Sequence, residues 1–206
     1  QSQTVCYNGT PTGTLTATPS NGSGNFTYRW LQATNASMTG ASVIAGQNIS
    51  TLSLNSIGVL QGGADVFVQA ELTDVDCGNV VVSTNTYQII TDDQLQVSIP
   101  TATLNVCFGS TPTGTVSASI SGGSSNSPNY TYTWYQASNS AMTGKTAIAG
   151  QTTANLDLTA LGQLNGGSDI YLQVEVSESN CTETALSSQT YQLITHEDLT
   201  VSMPAG

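Results

Sequence analysis

The stretch NFTYRW, from Asn25 to Trp30, decides the fold, because it returns as NYTYTW from Asn129 to Trp134. Phe26, Tyr28 and Trp30 stand at alternate positions, and so do Tyr130, Tyr132 and Trp134. Alternation at period 2 puts all three rings of each copy on one face of a strand. The other face is then polar, with Thr27 and Arg29 in one copy and Thr131 and Thr133 in the other.

The repetition extends outward from these strands in both directions. TPTGT at Thr10 to Thr14 returns at Thr111 to Thr115, and MTGASVIAGQ (Met38 to Gln47) returns as MTGKTAIAGQ (Met142 to Gln151). GGADVFVQAE (Gly62 to Glu71) returns as GGSDIYLQVE (Gly166 to Glu175), and TYQIIT (Thr86 to Thr91) as TYQLIT (Thr190 to Thr195). LQVSIP ending at Pro100 returns as LTVSMP ending at Pro204. Trp30 to Cys77 and Trp134 to Cys181 are both 47 positions, whereas Cys6 to Trp30 is 24 and Cys107 to Trp134 is 27. The three extra residues fall in the Ser/Gly-rich stretch from Gly122 to Asn129, which reads as an exposed loop. The repeat frame predicts two domains, 1–100 and 101–206, with Pro100 closing the first. It also suggests a piece cut at repeat borders from a longer array.

Further alternating runs include Leu15 and Ala17, Leu52 and Leu54, Val66 to Leu72, Val80 and Val82, and Tyr87 and Ile89. Each has a counterpart in the second copy, and Gly, Asn, Ser and Pro clusters separate them. No segment keeps a helical period. The expected fold is all-β: two tandem immunoglobulin-like β-sandwiches of about seven strands each, with a Trp on the third strand. Burying an inner Val, Leu or Trp contributes roughly 1.5–3 kcal/mol, and chain entropy nearly cancels the sum.

Composition excludes several functions. Lys and Arg number 2 against 13 Asp and Glu, for a net charge of −11. Two cations cannot line a nucleic-acid groove, and no apolar run reaches the roughly 20 residues of a membrane span. Four cysteines, two per copy, allow three pairings. Only Cys6–Cys77 and Cys107–Cys181 keep each copy self-contained, so one bridge per domain is expected, made in an oxidising compartment. Closing a loop of about 70 residues stabilises by roughly 4 kcal/mol in the chain-entropy model.

Catalytic constellations are hard to find. The single His196 matches Asp92 in the first copy, so it is expected on the surface and not beside a nucleophile. The repeated acids Asp65/Asp169 and Glu71/Glu175 begin or line strands, and no enzyme is expected. A calcium ion has two weak candidates. One is Asp74, Asp76 and Asn79 around Cys77, with Glu178, Asn180 and Glu183 around Cys181. The other is Asp92, Asp93, Glu197 and Asp198. Ligand types differ between the copies, so no metal or other cofactor is assigned. Lys145 stands where the first copy has Ala41, which excludes a repeated isopeptide bond. The alternating Thr10 to Thr18, with Thr111, Thr113, Thr115, Ser117 and Ser119, reads as an exposed strand face. Phe67 and Tyr171 fall on the face opposite Val66 and Val68 and are the candidates for stacking on a sugar.

The order Val5-Cys6, Thr12-Gly13-Thr14, Tyr28-x-Trp30, then an acid before a strand and a Cys turn, recurs as Val106-Cys107, Thr113-Gly114-Thr115 and Tyr132-x-Trp134. It resembles the immunoglobulin-like and PKD-like repeats of very large Bacteroidetes surface proteins, including gliding-motility adhesins. The resemblance implies a secreted, cell-surface stalk carrying adhesive function. It departs from antibody domains, whose bridge lies mid-strand against the Trp; here the bridge is expected to staple one end. The expected function is a non-catalytic spacer in an adhesin or motility filament. The alternative is a glycan- or surface-binding adhesive module, with calcium as its candidate stabiliser. Expected partners are neighbouring repeats and a surface polysaccharide, with no nucleic acid or membrane insertion, and a monomeric fragment.

Overall fold

The computed structural model describes residues 1–126 and 128–203. Pro204, expected to close the second copy, lies outside the described residues. The chain divides into two compact units, Gln1–Gln94 with Gly123–Ser127, and Leu95–Gly122 with Pro128–Gly206. Both are β-sandwiches, as the alternation predicts.

In the first unit the strands are β1 (Ser2–Val5), β2 (Thr14–Thr16), β3 (Phe26–Ala33), β4 (Ser42–Val43), β5 (Thr51–Ser53), β6 (Val66–Asp74), β7 (Val80–Val82) and β8 (Tyr87–Thr91). One sheet runs β1-β8-β6-β3-β4, with β7 also on β6, and the facing layer is the pair β2-β5. Strand β1 lies parallel to β8, while β3 and β6 are antiparallel over eight residue pairs. That register sets Trp30 opposite Ala70 and Tyr28 opposite Leu72 on the inner face. Arg29 faces Glu71 on the outer face, where their side chains approach to 2.7 Å. The core gathers Val5, Trp30, Ile44, Leu52, Leu54, Val68 and Ile89. The indole N–H of Trp30 donates to the Ile49 carbonyl at 3.0 Å, which satisfies its one polar atom inside an apolar layer.

The second unit repeats this plan with additions. Its strands are β9 (Asp93–Ser98, entering the unit at Leu95), β10 (Thr103–Val106), β11 (Thr115–Ser117), β12 (Ser119–Gly123), β13 (Tyr130–Ala137), β14 (Thr146–Ala147), β15 (Asn155–Asp157), β16 (Ile170–Glu178), β17 (Thr184–Leu186) and β18 (Tyr191–Thr195). The large sheet runs β10-β18-β16-β13-β14, with β17 on β16, and β11 pairs with β15. Trp134 faces Val174, and its N–H donates to the Thr153 carbonyl at 2.9 Å.

The addition is the pair β9-β12. Val97 and Ile99 are buried in one cluster with Val116, Trp134, Leu172, Val174 and Val176. The unit boundary therefore falls after Gln94 and not after Pro100. The sequence frame assigned LQVSIP to the end of the first copy because the repeat recurs there. Val97 and Ile99 of that alternation are instead spent in the second core, and Leu95 is buried as well. The inserted stretch differs from expectation too, since Gly123 and Ser124 are buried.

Candidate functional site

The cysteines come first, because the fold decides which of them can meet. In the first unit Val5 is paired with Thr91, and Ile89 with Val66. Cys6 therefore sits at the end of the sheet where β6 begins. Cys77 sits in the turn after Asp74, where β6 ends. Nine strand residues at about 3.4 Å each separate those ends by roughly 30 Å, whereas bridged Cα atoms lie within about 7 Å. The second unit repeats the geometry: Val106 pairs with Thr195, and Cys181 follows Glu178 at the far end of β16. The expected bridges Cys6–Cys77 and Cys107–Cys181 are thus corrected. Cys77 and Cys107 are exposed free thiols, and the oxidised cysteines are Cys6 and Cys181.

The repeated acids hold the backbone together. Asp65 starts β6 and accepts from Gln88 Nε2 at 2.7 Å and from the Thr91 N–H at 3.2 Å. Asp169 repeats this with Gln192 Nε2 at 2.8 Å and the Thr195 N–H at 3.1 Å. Asp93 accepts from the Gly63 N–H at 2.6 Å and Glu197 from the Gly167 N–H at 2.8 Å. These last two clasp a glycine turn that tolerates nothing larger. Gly62 has φ +75, and a Cβ there would strike the Asp93 carboxylate. Glu71 pairs with Arg29, while Glu175 accepts from the Tyr135 hydroxyl at 3.4 Å. Burial, reinforced by the Glu175 charge, pushes the Tyr135 phenol upward.

The acidic turn proposed for calcium is tied internally. The Asp74 carboxylate accepts from Ser23 Oγ at 2.6 Å, the Ser23 N–H at 2.8 Å, the Asp76 N–H at 3.1 Å and the Cys77 N–H at 3.2 Å. The Ser23 hydroxyl is the main reason its carboxyl titrates below the ordinary value, because hydrogen bonds to the charged form favour it. Asp76 accepts from Asn25 Nδ2 at 3.0 Å. In the second unit Glu183 accepts from the Leu95 N–H at 2.6 Å and so anchors β9, and Glu178 is buried. Asn180 is exposed. The two turns use their acids differently, which is why ligand types change between the copies. At the other candidate position Asp92 is buried and Asp198 exposed.

The remaining candidates are placed as follows. His196 is exposed, with Nε2 3.2 Å from the Asn105 side-chain oxygen. Thr10, Thr12, Thr14, Thr16 and Thr18 are all exposed. Phe67 and Tyr171 are half-buried on the outer face. Lys145 rests 4.2 Å from the Tyr135 ring centroid and donates to Gln173 Oε1 at 3.2 Å.

Sequence reading missed a concavity in the first unit. A groove of about 1310 Å³ in the first unit is lined by Leu15, Ala17, Phe26, Trp30, Leu72 and Val81, among others. The second unit's equivalents of these residues pack on Val97 and Ile99. The available signal was the apolar alternation of Leu95, Val97 and Ile99, which had no assigned mate.

The SprB repeat family matches residues 2–35 and 101–139, one segment in each unit. Among solved structures the chain is similar to three N-terminal domains of the bacteriophage RB49 highly immunogenic outer capsid protein. That match has 16% identity and TM-score 0.41, and covers 92% of this chain and 56% of the other. It is similar to the N-terminal eight immunoglobulin domains of Down Syndrome Cell Adhesion Molecule at 15% identity and TM-score 0.34, covering 95% of this chain and 25% of that one. A third likeness is the PKD domain of human KIAA0319, at 15% identity and TM-score 0.36, covering 54% of this chain and 89% of that one. No curated protein matches the chain. The chain is thus a tandem pair of equivalent β-sandwiches, each of which carries one segment similar to the SprB repeat.

Proposed function

We propose that this chain is a non-catalytic spacer segment of an extracellular, cell-surface adhesin, and that its work is mechanical. The observation that carries this reading is how the polar groups common to both units are used. Asp65 and Asp169 make the same two bonds across the start of β6 and of β16. Asp93 and Glu197 clasp the same glycine turn. What the repeat keeps is the set of ties that hold a sandwich closed under load. Repetition of one layered unit gives length, and polar outer faces keep it soluble. Neighbouring repeats are its partners, and adhesive contacts to surface polysaccharide belong elsewhere in such an assembly.

Two measurements on the 206-residue protein test this together. Pulled from its ends with its disulfide reduced, it should show two unfolding events, each releasing roughly 3.5 Å per residue of the unit. On a glycan array it should be silent. Reproducible saccharide hits that vanish with Tyr171→Ala would instead establish a binding module.

A further inference from the structure

Asp92 is a buried acid with no part in the ties that the two units share. It is 3% exposed and stands one residue past the end of β8. Its N–H donates to the Val5 carbonyl at 2.9 Å. That bond carries the parallel pairing of β1 and β8 one step beyond Val5 and Thr91. The next residue on the other side is Cys6, and its Sγ lies within 4.8 Å of an Asp92 carboxylate oxygen. Cys6 is half-buried and oxidised.

The carboxylate is also held from above. It accepts the Ser125 N–H at 2.9 Å, and Ser125 belongs to Gly123–Ser127, the stretch that joins the first unit. This is where the second copy carries its three extra residues. The second unit keeps the backbone plan, since the His196 N–H donates to the Val106 carbonyl at 3.0 Å. The side chain there is different: His196 is exposed and lies 3.2 Å from the Asn105 oxygen. Of the two units, only the first sets a buried acid beside its first cysteine.

Reduction of a disulfide by a thiol moves negative charge. A thiolate attacks one sulfur and forms a new S–S bond with it. The old bond breaks, and the other sulfur leaves with the electron pair as a thiolate, which then takes a proton from water. A second thiol resolves the mixed disulfide, so two thiols are oxidised to one disulfide and the protein bond gains two electrons. Each route sets charge against Asp92. Attack on Cys6 Sγ brings an anion up to the carboxylate, and attack on the other sulfur leaves the anion on Cys6 Sγ. Like charges this close oppose each other most where burial keeps water from screening them. We propose that Asp92 guards the Cys6 disulfide against reduction by thiols, slowing exchange through its charge. The inference goes beyond the spacer reading, which stands whether the bond exchanges quickly or slowly.

The test times reduction of the 206-residue protein by three thiols: cationic cysteamine, neutral mercaptoethanol and anionic glutathione. Cys77 and Cys107 are alkylated first, so that each new thiol reports the bond. Asp92→Asn keeps the side chain's shape and an oxygen for the Ser125 N–H but removes the charge. Mercaptoethanol should reduce this variant on the order of three- to tenfold faster than the parent. The gain should be larger with glutathione and smaller with cysteamine. Asp198→Asn removes one exposed charge instead and should leave all three rates at the parent's values. Equal rates in the parent and Asp92→Asn would overturn the proposal. So would an acceleration of the same size with all three thiols, because a merely loosened unit admits each alike.

Discussion

Cys6 and Cys77 stand at opposite ends of the first unit's large sheet, one beside the start of β6 and the other beyond its end. Equal spacing in the two copies made them look like a pair, but spacing along the chain does not say which end of a sandwich a residue reaches. Native thiol labelling should modify Cys77 and Cys107 and spare Cys6 and Cys181. A disulfide-linked peptide joining Cys6 to Cys77 would contradict the fold itself, because no bridge spans roughly 30 Å.

The first unit should melt before the second. Its core lacks the two buried side chains that Val97 and Ile99 supply to the other, each worth roughly 1.5–3 kcal/mol. Trp30→Phe and Trp134→Phe variants leave one reporter apiece, and Trp134 emission should shift at the higher temperature. Trypsin offers an independent readout, since Arg29 and Lys145 are its only sites. At a temperature between the two transitions, cleavage should follow Arg29 and spare Lys145.

Removing the carboxylate that opens β6 should loosen one edge of the sheet. Asp65→Ala deprives Gln88 Nε2 and the Thr91 N–H of their acceptor, and an abandoned buried donor costs about 1–3 kcal/mol. Asp169→Ala should cost the second unit a similar amount. Urea unfolding of each variant checks this, with the loss confined to the altered unit.

Acid should weaken the first unit through Asp74. Its folded-state value lies below the ordinary 3.8, chiefly because Ser23 Oγ donates to it. A depressed carboxyl contributes stability that is complete above the ordinary value and disappears as pH falls through the folded value. Urea midpoints measured downward from neutral pH should therefore fall more steeply below about pH 4 in the parent than in Asp74→Asn. Equal acid slopes would remove Asp74 from the account.

Much of this architecture was legible in the residues. Tyr28-x-Trp30 and Tyr132-x-Trp134 announced the central strands, and both Trp side chains lie in the cores with a backbone partner 19 residues on. The alternating Thr residues proved exposed as read. Two things were not legible, for physical reasons. A period locates a repeat without fixing its phase, so LQVSIP was counted with the unit it follows in sequence and not with the core it fills. The sense of pairing was equally hidden, because the parallel match of β1 to β8 decides which end receives Cys6 and leaves no mark in composition. The turn acids Asp74 and Asp76 carried an ambiguity of their own: oxygen-rich turns that bind a cation and those that bind their own N–H groups use the same residue types.

The central claim is that the stretch Leu95-x-Val97-x-Ile99 completes the second unit's sandwich, with Val97 and Ile99 in its core. Backbone hydrogen exchange on the dilute 206-residue protein, comparing residues 119–122 with 18–21, measures this most directly. The account predicts slow exchange along β12, where β9 covers it, and fast exchange along the matching stretch of the first unit. Equal protection of the two stretches would contradict it.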